Sequence, residues 1–132
     1  MGEFAVGQSV TRSEDPRLLI GHGEFLDDVN LRHQVWGHVL RSPHAKAKIR
    51  TIDTRDAVSA PGVLRVLTGA DWSSEQYGSL PCEDAHKTKP DGSLMYHPPY
   101  PALVEHQVKY VGDYVAFIVA ETQAQARDAA EL

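Results

Sequence analysis

The sequence predicts an α+β fold in which short helices pack on strands, and three observations carry that expectation. Residues 35–40 alternate apolar side chains in two sets, Val35 and Val39 against Trp36 and Leu40, the period of a strand touching protein on both faces. Residues 115–120 do the same, Val115, Phe117 and Val119 against Ala116, Ile118 and Ala120. Between them lie helix signals with clear starts and stops.

Taken in order, residues 1–31 form a leader expected to be extended and turn-rich, because Pro16, Gly21 and Gly23 punctuate it. The strand at 35–40 is interrupted by Pro43, and alternation resumes at Ala45, Ala47 and Ile49. Asp53 or Thr54 can accept hydrogen bonds from free backbone amides as an N-cap, and residues 55–60 make a short helix. Pro61-Gly62 cannot continue it, and Gly62 releases the chain into a second strand.

Residues 73–101 then change character. Gly78, Pro81, Pro90, Gly92, Pro98, Pro99 and Pro101 stand among polar and charged residues, which predicts a long irregular loop. Pro98-Pro99-Tyr100-Pro101 stiffens its return toward Leu103. Tyr110-Val111-Gly112-Asp113 reads as a tight turn between strands. The strand at 115–120, apolar on both sides, is expected to be central in its sheet and covered on both faces. Thr122 and Gln125 have capping-box spacing ahead of a helix favoured by Ala124, Ala126, Ala129 and Ala130.

Composition bounds the function. The chain has 132 residues, a net charge of −5 and a pI near 5.7. One domain is expected, and nucleic acid is an unfavoured partner because no basic face dominates. Cys82 is the sole cysteine, so neither an internal disulfide nor a Cys-rich zinc or iron–sulfur site can be built. No apolar run approaches the ~20 residues that span a bilayer, and a reducing cytoplasm is the expected location.

Several residues invite sharper readings. His33, His38 and His44 are the nearest of seven histidines, but His38 and His44 would stand ~20 Å apart on an extended chain at ~3.3 Å per residue, too far for one metal. Gly21-His22-Gly23 opens like a dinucleotide loop, yet Leu26 occupies the third glycine position, so a turn is expected. Asp27-Asp28 with Glu24 could hold a hard cation, against the plainer reading of a solvated turn that caps backbone amides. Lys46, Lys48 and Arg50 form a small basic stripe opposite Ala45, Ala47 and Ile49, either solvated or facing an acidic partner. No His/Asn or His/Asp arrangement points at Cys82, so no thiol catalysis is expected. These residues yield no catalytic, cofactor-binding or metal site.

The pieces SVTRSEDPRLLIGHGEFLDDVNL (9–31), RSPHAKAKIRTID (41–53), APGVLRVLTGADW (60–72) and VKYVGDYVAFIVAET (108–122) together resemble the N-terminal α/β hammerhead domain of the molybdenum-binding large subunit of the xanthine dehydrogenase, aldehyde oxidase and aerobic CO dehydrogenase family. The resemblance covers nearly the whole chain beyond Met1 to Phe4. One departure is Tyr114, where the family often has Pro after the acidic residue of the turn. The resemblance implies a mixed sheet with packed helices over 32–132, behind the leader 1–31, with the domain cut short at its C-terminal end. That expectation agrees with the helix after Thr122, which reaches Leu132 without a stop signal.

In such enzymes the molybdopterin-binding loops, the glutamate base and the substrate pocket lie downstream of this module. The parent is expected to oxidise CO, aldehydes or N-heterocycles with water as oxygen source. Its molybdopterin cofactor (Mo) lies in the C-terminal domains of the same subunit, and [2Fe–2S] clusters and FAD lie on partner subunits. The copper-binding cysteine of the CO-oxidising branch belongs to a downstream loop and is not Cys82. The opening at 9–31 looks more like bacterial large subunits of the CO dehydrogenase type than like single-chain animal enzymes. This segment is therefore expected to be a non-catalytic scaffold. A free-standing interaction module presenting loop 73–101 is the alternative, and a small hydrolase is disfavoured because the sequence offers no nucleophile–base pair.

Overall fold

The computed structural model describes Gly7 and residues 11–81 and 87–132. The chain divides into two compact units, Met1–Gln34 and Val35–Leu132.

In the first unit a helical turn, α1 (Asp15–Leu19), stands where an extended leader was expected. Pro16 falls in its first turn, where the missing N–H costs nothing, and Asp15 there suits the helix dipole. The helix ends in a Schellman motif. The Gly21 amide donates to the Leu18 carbonyl at 3.1 Å and the His22 amide to the Arg17 carbonyl at 3.0 Å, with Gly21 at φ +77°. A 3-10 turn follows at Leu26–Asp28.

The second unit runs β1 (Trp36–Arg41), β2 (Ala47–Lys48), α2 (Arg55–Ser59), β3 (Val63–Thr68), α3 (Gly69–Ser74), β4 (Gln107–Val108), β5 (Tyr114–Ala120) and α4 (Gln123–Ala129). A three-stranded sheet has the order β1-β5-β3, and β2 pairs with β4 in a two-stranded ribbon. β5 is central, as its two apolar faces predicted. All three pairings are antiparallel, where a sheet of mixed strand direction was expected. The physical reason is the crossover. β1 and β3 run the same way, joined through α2 in the manner of a βαβ unit, but β5 inserts between them antiparallel to both.

Local chemistry explains the ends of the elements. Thr54 stands at the N-cap of α2, but the acceptor comes from Asp53, whose carboxylate takes the Arg55 amide at 3.2 Å and pairs with its guanidinium at 2.5 Å. At α4, Thr122 Oγ1 accepts from the Gln125 amide at 3.3 Å. The reciprocal half of the expected box is absent: Gln125 Oε1 accepts from the Thr122 hydroxyl at 2.9 Å instead. The Gln125 amide group fills the space beside Gly62, at φ +76°, so a side chain there would displace it.

The largest buried cluster lies on one side of the three-stranded sheet, while Leu103, Val104 and Val108 are buried outside it. Register places Leu40, His38 and Trp36 of β1 and Thr68, Val66 and Val63 of β3 beside Ala116, Ile118 and Ala120 of β5. On that side Ala57 of α2 and Ala126 and Ala129 of α4 complete a buried cluster with Ala116, Ile118 and Ala120. Phe117 and Val119 point the other way and are only partly covered, so the cover expected on both faces is complete only on the Ile118 side. The reason is that α2 and α4 both pack against the Ile118 side.

Ile118 is 1% exposed and is the largest fully buried side chain among the described residues. Ile118→Ala is expected to lower the free energy of unfolding by about 3 kcal/mol in urea titrations. Val58→Ala, on a residue 56% exposed, should change it by less than about 0.5 kcal/mol. Equal effects would contradict this placement of the core.

Candidate functional site

The second unit carries several grooves, with a backbone clasp beside one of them. The clasp joins the break after β1 to the turn before β5. The Ser42 amide donates to the Asp113 carbonyl and the Gly112 amide to the Ser42 carbonyl, each at 2.8 Å. Gly112 is at φ +91°, the conformation the turn requires. The Asp113 carboxylate, 3% exposed, accepts from the Lys109 amide at 2.9 Å and from its neighbour Tyr114 at 3.2 Å. Arg41 lies 4.4 Å over the Tyr114 ring and donates to the Gly112 carbonyl at 3.3 Å. Tyr114, in place of the family's frequent Pro, thus gives Arg41 an aromatic platform.

Beside the clasp a groove of about 250 Å³ is lined by Pro99, Tyr100, Pro101, Leu103, Lys109 and Tyr110, among others. The proline-rich return is anchored there. The Leu80 amide donates to the Tyr100 carbonyl at 2.8 Å, and the Tyr100 and Tyr110 hydroxyls share a hydrogen bond of 2.7 Å. That bond holds the Tyr110 phenol above its ordinary range. At the groove wall Ser73 Oγ donates to Glu105 Oε2 at 2.5 Å, and the exposed His106 Nε2 stands 3.7 Å from Glu105 Oε1. Ser73 therefore bonds a carboxylate and not an imidazole.

The second groove, about 340 Å³, lies between β3 and α3 and is lined by Arg65, Leu67, Asp71, Trp72, Glu75, Tyr77 and Leu103. A capping box builds it. The Thr68 amide donates to Asp71 Oδ2 at 2.8 Å and the Thr68 hydroxyl to the same oxygen at 2.7 Å, which starts α3 immediately after β3. Gly69 lets that start approach the Val104 carbonyl, since a Cβ would overlap it. Trp72 donates through Nε1 to the Gly78 carbonyl at 2.8 Å, and its ring lies 4.9 Å from the Tyr77 ring.

The residues singled out from the sequence are not drawn into one site. His33 sits at φ +62° outside the sheet, His38 is on the α-helical side of β1, and His44 is exposed beyond it. Gly21-His22-Gly23 closes a helix. Asp28 caps a backbone amide, accepting from Phe25 at 2.9 Å, as the plainer reading held. Lys48 and Arg50 are exposed while Ala47 and Ile49 are half-buried, as expected of the stripe, but the alternation does not reach Ala45 and Lys46, which are both exposed. Cys82 and Met1 to Phe4 lie outside the described residues. Among the described residues no group of three His, Cys, Asp or Glu converges. The Trp72 groove escaped the sequence reading, although Thr68 and Asp71 have N-cap and N3 spacing and could have announced α3.

The Thr68 hydroxyl, and after it the Thr68 amide, hold the Asp71 carboxyl below its usual 3.8. Because the folded value lies below the unfolded one, the stabilisation is complete above about pH 4 and is lost as pH falls through the folded value. Asp71→Asn should therefore melt below the parent protein at about pH 6, and the gap should close on acidification toward about pH 2. A gap independent of pH would contradict the assignment.

Residues 20–132 match the family described as "Aldehyde oxidase and xanthine dehydrogenase, a/b hammerhead domain". The chain is 41% identical over 129 residues to the nicotine 6-hydroxylase large subunit of Paenarthrobacter nicotinovorans, covering 96% of this chain and 15% of that protein. It is 35% identical over 121 residues to the carbon monoxide dehydrogenase large chain of Afipia carboxidovorans, covering 92% and 14%. Its fold is similar to that of reconstituted CO dehydrogenase from Oligotropha carboxidovorans, with a TM-score of 0.79 at 34% identity over 96% of this chain and 14% of that one. The chain thus spans at most 15% of each of these relatives. With the match running from residue 20 to residue 132, the chain belongs to the a/b hammerhead domain family of aldehyde oxidases and xanthine dehydrogenases.

Proposed function

We propose that this chain is a non-catalytic structural module of the large subunit of a cytoplasmic molybdenum hydroxylase. The observation that carries the reading is the pattern of coverage: relatives named as hydroxylase or dehydrogenase large subunits match nearly all of this chain with only 14–15% of their own length. Their named activities come from polypeptides about seven times as long. On this reading residues 1–31 serve as a leader and 32–132 as the hammerhead domain. The molybdopterin cofactor is held by the remainder of the same subunit, and iron–sulfur and FAD subunits complete the electron path. The parent enzyme oxidises CO, an aldehyde or an N-heterocycle with water as oxygen source.

The module's own part is mechanical. A sheet hydrogen-bonded on both sides of β5, with loops tied down by the Ser42–Asp113 clasp, offers a stiff platform at low cost in ordering on assembly. Its described residues touch no reacting atom in this reading, and removing one of them should act through stability.

The test reads the coding frame past Leu132 and measures molybdenum by mass spectrometry in both the 132-residue chain and the longer product. An open frame, with metal in the longer product and none above background in the short one, is the expected result. A stop codon after Leu132, or stoichiometric molybdenum in the short chain, would overturn it.

A further inference from the structure

The outer face of the three-stranded sheet has the wrong composition for water. Register puts Gly37 and Val39 of β1, Phe117 and Val119 of β5, and Arg65 and Leu67 of β3 on that side. An antiparallel sheet with one solvated face normally alternates apolar inward with polar outward. Here Arg65 is the one charged residue among the six. The Phe117 ring packs against Gly37 of β1: a Cβ added at Gly37 would come within 2.5 Å of it. Val39, Phe117, Val119 and Leu67 are half-buried.

This face runs into the Trp72 groove through Leu67 and Arg65, which belong to both. Trp72, Tyr77 and Leu103 give that groove an apolar wall, and Arg65 and Glu75 are exposed at its margin. Its volume, about 340 Å³, suits one large side chain, and Trp, Tyr and Arg are the residues in which binding energy concentrates. An aliphatic sheet leading to an aromatic pocket with charges at its margin has the anatomy of a permanent interface, apolar at the centre and polar at its edge.

We infer that this continuous surface, from Val39 across Phe117 and Leu67 to Trp72, is where the module docks on the rest of its own polypeptide. The occupant is an apolar ridge that lays aliphatic side chains on the sheet and seats one bulky side chain beside Trp72. The inference rests on reading the chain as part of a longer subunit. Most of each relative's length lies outside the segment this chain matches, and a covalently attached partner suits a face too apolar for a transient one.

The test places single cysteines at Val39→Cys and Leu67→Cys in a Cys82→Ser background and measures maleimide labelling at each site by peptide mass spectrometry. Rates are compared between the 132-residue chain and the longer large subunit purified without other subunits, with the urea-unfolded proteins as the fully labelled reference. At least about tenfold slower labelling in the longer subunit is expected, with both sites reactive in the short chain. Equal rates would overturn the docking surface while leaving the family reading intact. Slow labelling in the short chain would also overturn it, through a second copy if dilution restores the rate and through a segment of this chain if it does not. Protection that appears only when iron–sulfur or FAD subunits are added assigns the face to them and overturns it too. A stop codon after Leu132 removes the module reading and this inference with it.

Discussion

The close contact between β5 and α4 is the constraint on which the second unit depends. Ala116 and Ala120 flank Ile118 on the strand, and Ala126 and Ala129 face them from the helix, all between 0% and 2% exposed. Small side chains on both surfaces bring the helix near the sheet, and Ile118 fills the remaining space. Larger residues at the alanine positions would push α4 outward, and it would lose its hold on β1 and β3. The same strand supplies the hydrogen bonds that keep β1 and β3 in place, since neither pairs with the other. Sheet and core therefore stand or fall on one strand.

That economy has a consequence for the surfaces. A cluster built largely of alanine on one side of a three-stranded sheet buries little apolar area, so several of the unit's large apolar side chains are left at its boundary. Leu64, Tyr77, Leu94 and Tyr96 are more than half exposed, and the Phe117 side of the sheet is only partly covered. The clasp between Ser42 and Asp113 ties the break after β1 to the turn before β5. A scaffold role needs these properties: ordered edges, few titrating groups in contact with one another, and apolar faces of defined shape.

Much of the fold was legible because it rests on local chemistry. The strand expected at 35–40 forms as Trp36–Arg41 and that at 115–120 as Tyr114–Ala120, since period-two apolar patterns survive in any sheet that buries them. The helix after Asp53 and the turn at Gly112 follow from side-chain acceptors and from glycine's freedom at positive φ. What escaped depends on long-range pairing. Nothing near Val63 announces that β5 will insert between β1 and β3, and an apolar residue at position 117 reads the same whether its cover comes from this chain or another. The α1 turn escaped for a different reason: Pro16 was taken as a breaker, although in a first helical turn it is a starter. The Trp72 groove joins residues from β3, α3 and Leu103, a conjunction no local pattern contains.

Native-state amide hydrogen exchange on the 132-residue chain tests the central claim most directly. If β5 is the strand on which the unit depends, the amides of Ala116, Ile118 and Ala120 should exchange most slowly, at a rate set by global unfolding. Those of β2 and β4, paired over two residues each, should exchange far faster. Slower exchange in β2 and β4 than in β5, or protection shared evenly by all strands, would contradict it.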